Sequence, residues 1–160
     1  MISRRRRLLK EEIPTREIQD MGHVEFIDHT ADVGMAIEAG DLNDLFRSAA
    51  QGLLGYIIAN PQEIQAIVWD STSIQADSLS ELLVNWLNEL IFLIETKHRV
   101  YQSFEVAINP ERCELVARIA GEPLDSSRHQ VDHEVKAVTR HEARVEQNPN
   151  GWQAQVLLDI

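Results

Sequence analysis

The chain of 160 residues holds a single cysteine, Cys113. One thiol excludes an internal disulfide framework and any Cys-x-x-Cys redox or zinc motif. Long apolar runs are missing too. The longest candidate, LLVNWLNELIFLIE, is interrupted by Asn85, Asn88 and Glu89, and falls short of the ~18 apolar residues that a membrane helix needs. The arginines of RRRRLLKEEIP have no apolar stretch behind them, so a secretory signal is not expected and a cytoplasmic address is. GxxxxGKS, GxxxxGKT, GxGxxG and GxSxG are all absent, which excludes the phosphate loop, the dinucleotide fingerprint and the nucleophile elbow. Cations are scarce: 15 Lys and Arg stand against 26 Asp and Glu, for a formal charge of −11. Six of those cations, Arg4 to Arg7, Lys10 and Arg16, fall in the first twenty residues beside four acids, so the rest of the chain carries −13. Such a surface repels phosphate and is a poor holder of nucleic acid by itself. It suits a basic partner or a cation.

What is present describes one globular domain: 44% hydrophobic and 26% charged residues, in a length sufficient for a core without staples. Residues 1–21 are expected to be a basic, disordered extension, and 22–160 a single domain. HVEFIDH (23–29) has the mixture of a short strand, and VGMAIEA (33–39) alternates with Val33, Met35, Ile37 and Ala39 on one face. Helical spacing follows from Leu42 to Ile57, with Asp41 as N-cap and Asn60-Pro61 as the stop. EIQAIVWDSTSIQA (63–76) reads as a strand that could bend at Asp70. Ser78 and Glu81 carry a capping-box signature ahead of the apolar stripe Leu79, Leu82, Leu83, Trp86, Leu87, Leu90 and Ile91. Beyond Lys97-His98 the period becomes two, in VYQSFEVAI, RCELVARIAG, EVKAVTRHEARV and WQAQVLLDI. NPNG (148–151) supplies a hairpin turn, and GEPLDSSRHQVDH (121–133) is the one long polar connection. The expected fold is α+β, two helices packed on one side of a mainly antiparallel β-sheet.

Few residues offer chemistry. Cys113, within an alternating run, reads as a small buried residue. His129 and His133 stand four apart, but in a loop with no third nitrogen or sulfur ligand nearby, which argues against zinc. Carboxylates remain. Asp32, in HTADVG, stands between two strand-like segments, and Asp159 closes the last strand ahead of Ile160. If these ends meet, Asp32, Asp159 and the α-carboxylate of Ile160 would give a hard cation three anionic oxygen groups. Otherwise Asp32 caps a turn and Asp159 is an exposed end. Lys136, in EVKAVTRH, would bind an anion, balance the carboxylates or be a solvated surface cation.

At these residues the chain resembles the archease family. DHTADVG, LNDLFRSAAQGLL, ELLVNWLNELIFL, GEPLDSSRH, EVKAVT and GWQAQVLLDI occur in order and at matching spacing. The resemblance covers Gly22 to Ile160. It implies a non-catalytic activator of the RtcB-type RNA ligase, the enzyme that joins a 2′,3′-cyclic or 3′-phosphate end to a 5′-hydroxyl in tRNA splicing or RNA repair. That ligase works through a guanylylated histidine, with GTP and Mn²⁺, and archease promotes guanylylation and multiple turnover. The resemblance also implies a divalent cation, calcium foremost with Mn²⁺ or Mg²⁺ as alternatives, held by Asp32, Asp159 and Ile160. His29, Lys136, Arg128 and His129 are marked as further functional or partner-facing candidates. RNA would be met only through the ligase, and no membrane is involved. Arg140 departs from the pattern, which has an aromatic residue after KAVT. Two other functions fit the same residues. One is a chaperone-like adaptor for an RNA-modifying enzyme such as a tRNA methyltransferase. The other is a metal-dependent hydrolase with His29 as the base beside Asp32.

Overall fold

The computed structural model describes residues 22–28 and 31–160; the basic extension and His29 lie outside the described residues. The order is β1 (His23–Asp28), β2 (Asp32–Ala39), α1 (Leu42–Ile57), a 3₁₀ turn (Pro61–Glu63), β3 (Val68–Gln75), α2 (Leu79–Lys97), β4 (Arg99–Asn109), β5 (Glu114–Pro123), β6 (Ala137–Asn148) and β7 (Gly151–Asp159). Every named strand pair is antiparallel. The α+β class is as expected, but the strands divide into two sheets, β1-β2-β7-β6 and β3-β5-β4.

Helix side chains account for part of that division. Asn88 of α2 accepts from the Val138 N–H at 2.8 Å and donates to its carbonyl at 2.9 Å. The hydroxyl of Ser80 accepts from the Val145 N–H at 3.1 Å, and Asn43 of α1 accepts from the Ile108 N–H at 2.8 Å. The outer edges of β6 and β4 thus spend backbone groups on helices, where a further strand would otherwise pair.

Local signals set both helices. The Asp41 carboxylate accepts from the Asp44 N–H at 2.8 Å, and the Ser78 hydroxyl from the Glu81 N–H at 3.1 Å. The Glu81 carboxylate meets Arg140 at 3.0 Å. Their apolar faces and the inner faces of the sheets share one core, with Met35, Phe46, Trp86, Tyr101 and Val156 fully buried. The Trp86 indole donates to the Phe46 carbonyl at 3.0 Å, so its polar atom is satisfied in the interior. Among the described residues no helix is long and apolar enough to cross a membrane.

Three local expectations are corrected. The run from 63 to 76 pairs only from Val68, because the Gln65 N–H turns to the Glu122 carboxylate and the Ile67 N–H to the Gly121 carbonyl. Asp70 sits in unbroken register opposite Ile119, with no bend. Cys113 is not inside a strand; it is half-buried with φ 48°, closing the turn before β5. In β6 the register shifts between Thr139 and Arg144, and Glu142 has φ 58°. Arg140 belongs to this bulge. Two glycines are required by their surroundings. A Cβ on Gly121 would lie 1.8 Å from the Val100 carbonyl, and Gly151 turns the last hairpin at φ 141°.

Candidate metal centre

β2 and β7 are neighbours, and their register sets Asp32 directly opposite Asp159. Val33, Met35, Ile37 and Ala39 point into the core, so Asp32 and its cross-strand partner lie on the outer face of the sheet. Asp159 is held from the other side as well: Ala137 is its partner in β6, and its carbonyl accepts from the Lys136 N–H at 2.8 Å. Both aspartates are half-buried, whereas Ile160, one residue further, is 45% exposed. The ends that had to meet do meet.

Like charges placed directly opposite across an antiparallel pair repel, with Cβ atoms about 4.5–5.5 Å apart. Neither aspartate side chain has a hydrogen bond or ion pair with a described residue. On that face Gly34 follows Asp32, Ala137 is opposite Asp159, and the buried Leu157 lies two residues before Asp159. Two pairs further along β6, the Thr139 hydroxyl, opposite Leu157, is buried without a hydrogen-bond partner. Two opposed carboxylates at the end of the sheet are oxygen donors of the kind that fits a hard divalent cation. No group of three His, Cys, Asp or Glu side chains suited to a metal occurs among the described residues. His29 lies outside the described residues, and Lys136 is exposed just ahead of β6.

Arg128 and His129 stand elsewhere, on the connection after β5, where they converge on Glu122. That carboxylate is 4% exposed and accepts from Arg128 at 2.5 and 3.1 Å. It also accepts from the Gln65 N–H at 2.6 Å and meets His129 Nε2 at 3.1 Å. His129 Nδ1 accepts the Asp125 N–H at 3.0 Å, so the ring proton is on Nε2 and points at Glu122. The Arg128 hydrogen bond, against the opposing effect of burial, holds Glu122 at about 2. His129, 1% exposed, anchors a loop in this arrangement and presents no surface to a partner.

A second carboxylate centre was hidden in the sequence. Burial raises Asp70, but hydrogen bonds from Lys97, Tyr101 and Arg99 outweigh it and bring Asp70 to about 2. Burial and the Asp70 hydrogen bond push the Tyr101 hydroxyl up. The Glu122 network ties two irregular segments to β5, and the Asp70 network ties β3 to the end of α2 and to β4. Only the oddity of an acid within an apolar alternation could have pointed to either.

The fold and the paired aspartates define a small α+β domain with two opposed carboxylates at the end of one sheet, and comparison with known proteins gives its relatives. Residues 24–160 match the model of the Archease protein family (MTH1598/TM1083). Protein archease of Pyrococcus abyssi is 32% identical over 139 residues, 85% of this chain and 97% of that protein. Protein archease of Methanosarcina mazei is 31% identical over 139 residues, covering 85% and 94%. The solution structure of Methanobacterium thermoautotrophicum protein 1598 superposes with TM-score 0.74 at 28% identity, over 86% of this chain and 98% of that one. A Thermotoga maritima crystal structure, described as an archease and possible chaperone, shares the fold with TM-score 0.56 at 19% identity, over 84% and 94%. The chain belongs to the archease family.

Proposed function

We propose that this protein is a non-catalytic activator of an RtcB-type RNA ligase, promoting the guanylylation of that enzyme and its repeated turnover in tRNA splicing or RNA repair. Family membership supports the reading, and the observation that carries it is the cross-strand pairing of Asp32 with Asp159. Asp32, Asp159 and the α-carboxylate of Ile160 would hold a divalent cation. Such an ion supplies positive charge and open coordination positions for phosphate or nucleotide oxygens. The surrounding domain, at −13 outside its first twenty residues, would bring these carboxylates to a basic, metal-rich active site by electrostatic attraction. Bond making would remain the ligase's own.

The test is a multiple-turnover ligation assay with purified ligase, GTP and Mn²⁺ held constant. Asp32→Ala, Asp159→Ala and a chain with one residue appended after Ile160 should each lose the stimulation that the wild type gives. Stimulation left intact in the two aspartate variants overturns the proposal. An adaptor for another RNA-modifying enzyme, such as a tRNA methyltransferase, is the second reading. It is favoured by the apolar cleft described next, and it requires binding that survives loss of Asp32.

A further inference from the structure

Away from the paired aspartates, a cleft of about 300 Å³ opens between the ends of α1 and α2 and the connection from β5 to β6. Its floor is Ile58 and Val100, both fully buried. Ile91 and Ile94 form one wall, Leu124 and Val131 the other. Val131 is 55% exposed, an apolar rim in open water. The walls are fixed by main-chain hydrogen bonds: Ala59 N–H to Gln130, Asp132 N–H to Ile57 and Leu124 N–H to His98, each 2.8 Å. His133 stacks on Tyr56 at 4.2 Å between ring centroids. A preformed apolar cleft binds without first ordering a loop.

Charge decides what enters it. Glu95 and Glu134 line the cleft, and neither has an ion-pair partner among the described residues. Lys97 and Arg99 are engaged by Asp70, and Arg128 by Glu122. His133 Nδ1 meets the Tyr56 carbonyl at 3.1 Å and lies 3.3 Å from the Asp132 carboxylate. An apolar floor under an uncompensated acidic rim rejects fatty acids and other anions, and complements aliphatic side chains flanked by cations.

We propose that this cleft is a docking site for a partner polypeptide segment that presents an aliphatic pair flanked by lysine or arginine. Recognition would follow the usual division of such sites, with apolar anchors giving affinity and charges selecting the partner. The site is independent of the cation proposal, and it is the surface by which an accessory protein can hold its client while the aspartates stay free.

The test uses the full chain and a fluorescein-labelled synthetic peptide, acetyl-Lys-Arg-Leu-Leu-Arg-Lys-amide, read by fluorescence polarisation at low salt. The wild type should bind. Val131→Glu, at an exposed position that leaves the core untouched, should weaken binding about tenfold or more, equivalent to about 1.4 kcal/mol. Glu95→Gln with Glu134→Gln should weaken it about threefold to tenfold and flatten its salt dependence. A peptide with glutamates in place of the cations should not bind. Asp32→Ala with Asp159→Ala should bind the peptide as the wild type does, which separates this site from the cation reading. Unchanged binding in Val131→Glu, or equal binding of the acidic peptide, overturns the proposal. Tighter peptide binding after Leu8→Glu with Leu9→Glu would mean that the chain's own basic segment competes for the cleft, and would overturn the assignment to a partner.

Discussion

Replacing Asp32 by asparagine should change the stability of this protein in opposite directions with and without a divalent cation. In the register of β2 and β7, Asp32 faces Asp159 directly. At a separation of about 5 Å two like charges repel by about 0.8 kcal/mol in water and about 3 kcal/mol at an effective dielectric of 20. Both carboxylates are half-buried, so about 1–2 kcal/mol is the reasonable range at low salt. Asp32→Asn keeps the shape and removes that repulsion. In chelator the variant should therefore be the more stable by about 1 kcal/mol, raising Tm by about 3 °C for a domain of this size. A cation present at a hundred times its Kd stabilises the wild type by about 2.7 kcal/mol, and the variant should lose most of that gain. The order of the two melting curves then reverses between chelator and saturating Ca²⁺ or Mn²⁺. Thermal unfolding followed by circular dichroism, with ionic strength matched by NaCl, measures both arms. A variant already less stable in chelator would show that Asp32 has a structural role, such as capping the turn before β2. A wild type indifferent to divalent cations would remove the metal from the account altogether.

Two further outcomes are expected. Glu122→Gln leaves one acceptor where four donors converge, and should cost about 2 kcal/mol at pH 7 because charge-assisted hydrogen bonds are lost and an N–H₂ group faces Arg128 or His129. Glu122 is held at about 2, below the ordinary 4.5. Its contribution is therefore full above pH 4.5 and vanishes as pH falls towards 2, so the gap between urea midpoints should close across that window. A gap independent of pH refutes the charge argument. Asn88→Ala leaves the Val138 N–H and carbonyl without their partner, and should cost about 1–2 kcal/mol. Hydrogen exchange at the Val138 amide should quicken more than at Leu158, which β7 carries inside the sheet; equal protection at both would show that the clamp contributes nothing local.

Much of the fold was legible because its signals are local. Asp41 and Ser78 cap the helices they announce, period two marks the strands, and NPNG turns the last hairpin between Asn148 and Gly151. The division into two sheets was not legible. Part of it rests on Asn43, Ser80 and Asn88, which as letters are ordinary polar helix residues and in space occupy strand edges. The roles of Glu122 and Asp70 were hidden for a related reason. Their partners come from other segments, as with Gln65 and Arg128 for one and Lys97 and Arg99 for the other, and no spacing rule encodes such meetings. The candidate cation site was half legible: its residues stood out as carboxylates at segment ends, but their adjacency needed the order β2-β7.

That adjacency makes the pair of aspartates a sensor of long-range folding. β2 stands near the start of the described chain and β7 at its end, so the carboxylates oppose one another only once two strands far apart in sequence have paired. A slip of one residue between these strands would turn one carboxylate away and drive Met35 or Val156 out of the core. The apolar interior therefore proofreads the register, and any cation affinity arising from the pair is a property of the paired strands, absent from every intermediate in which β2 and β7 have yet to meet.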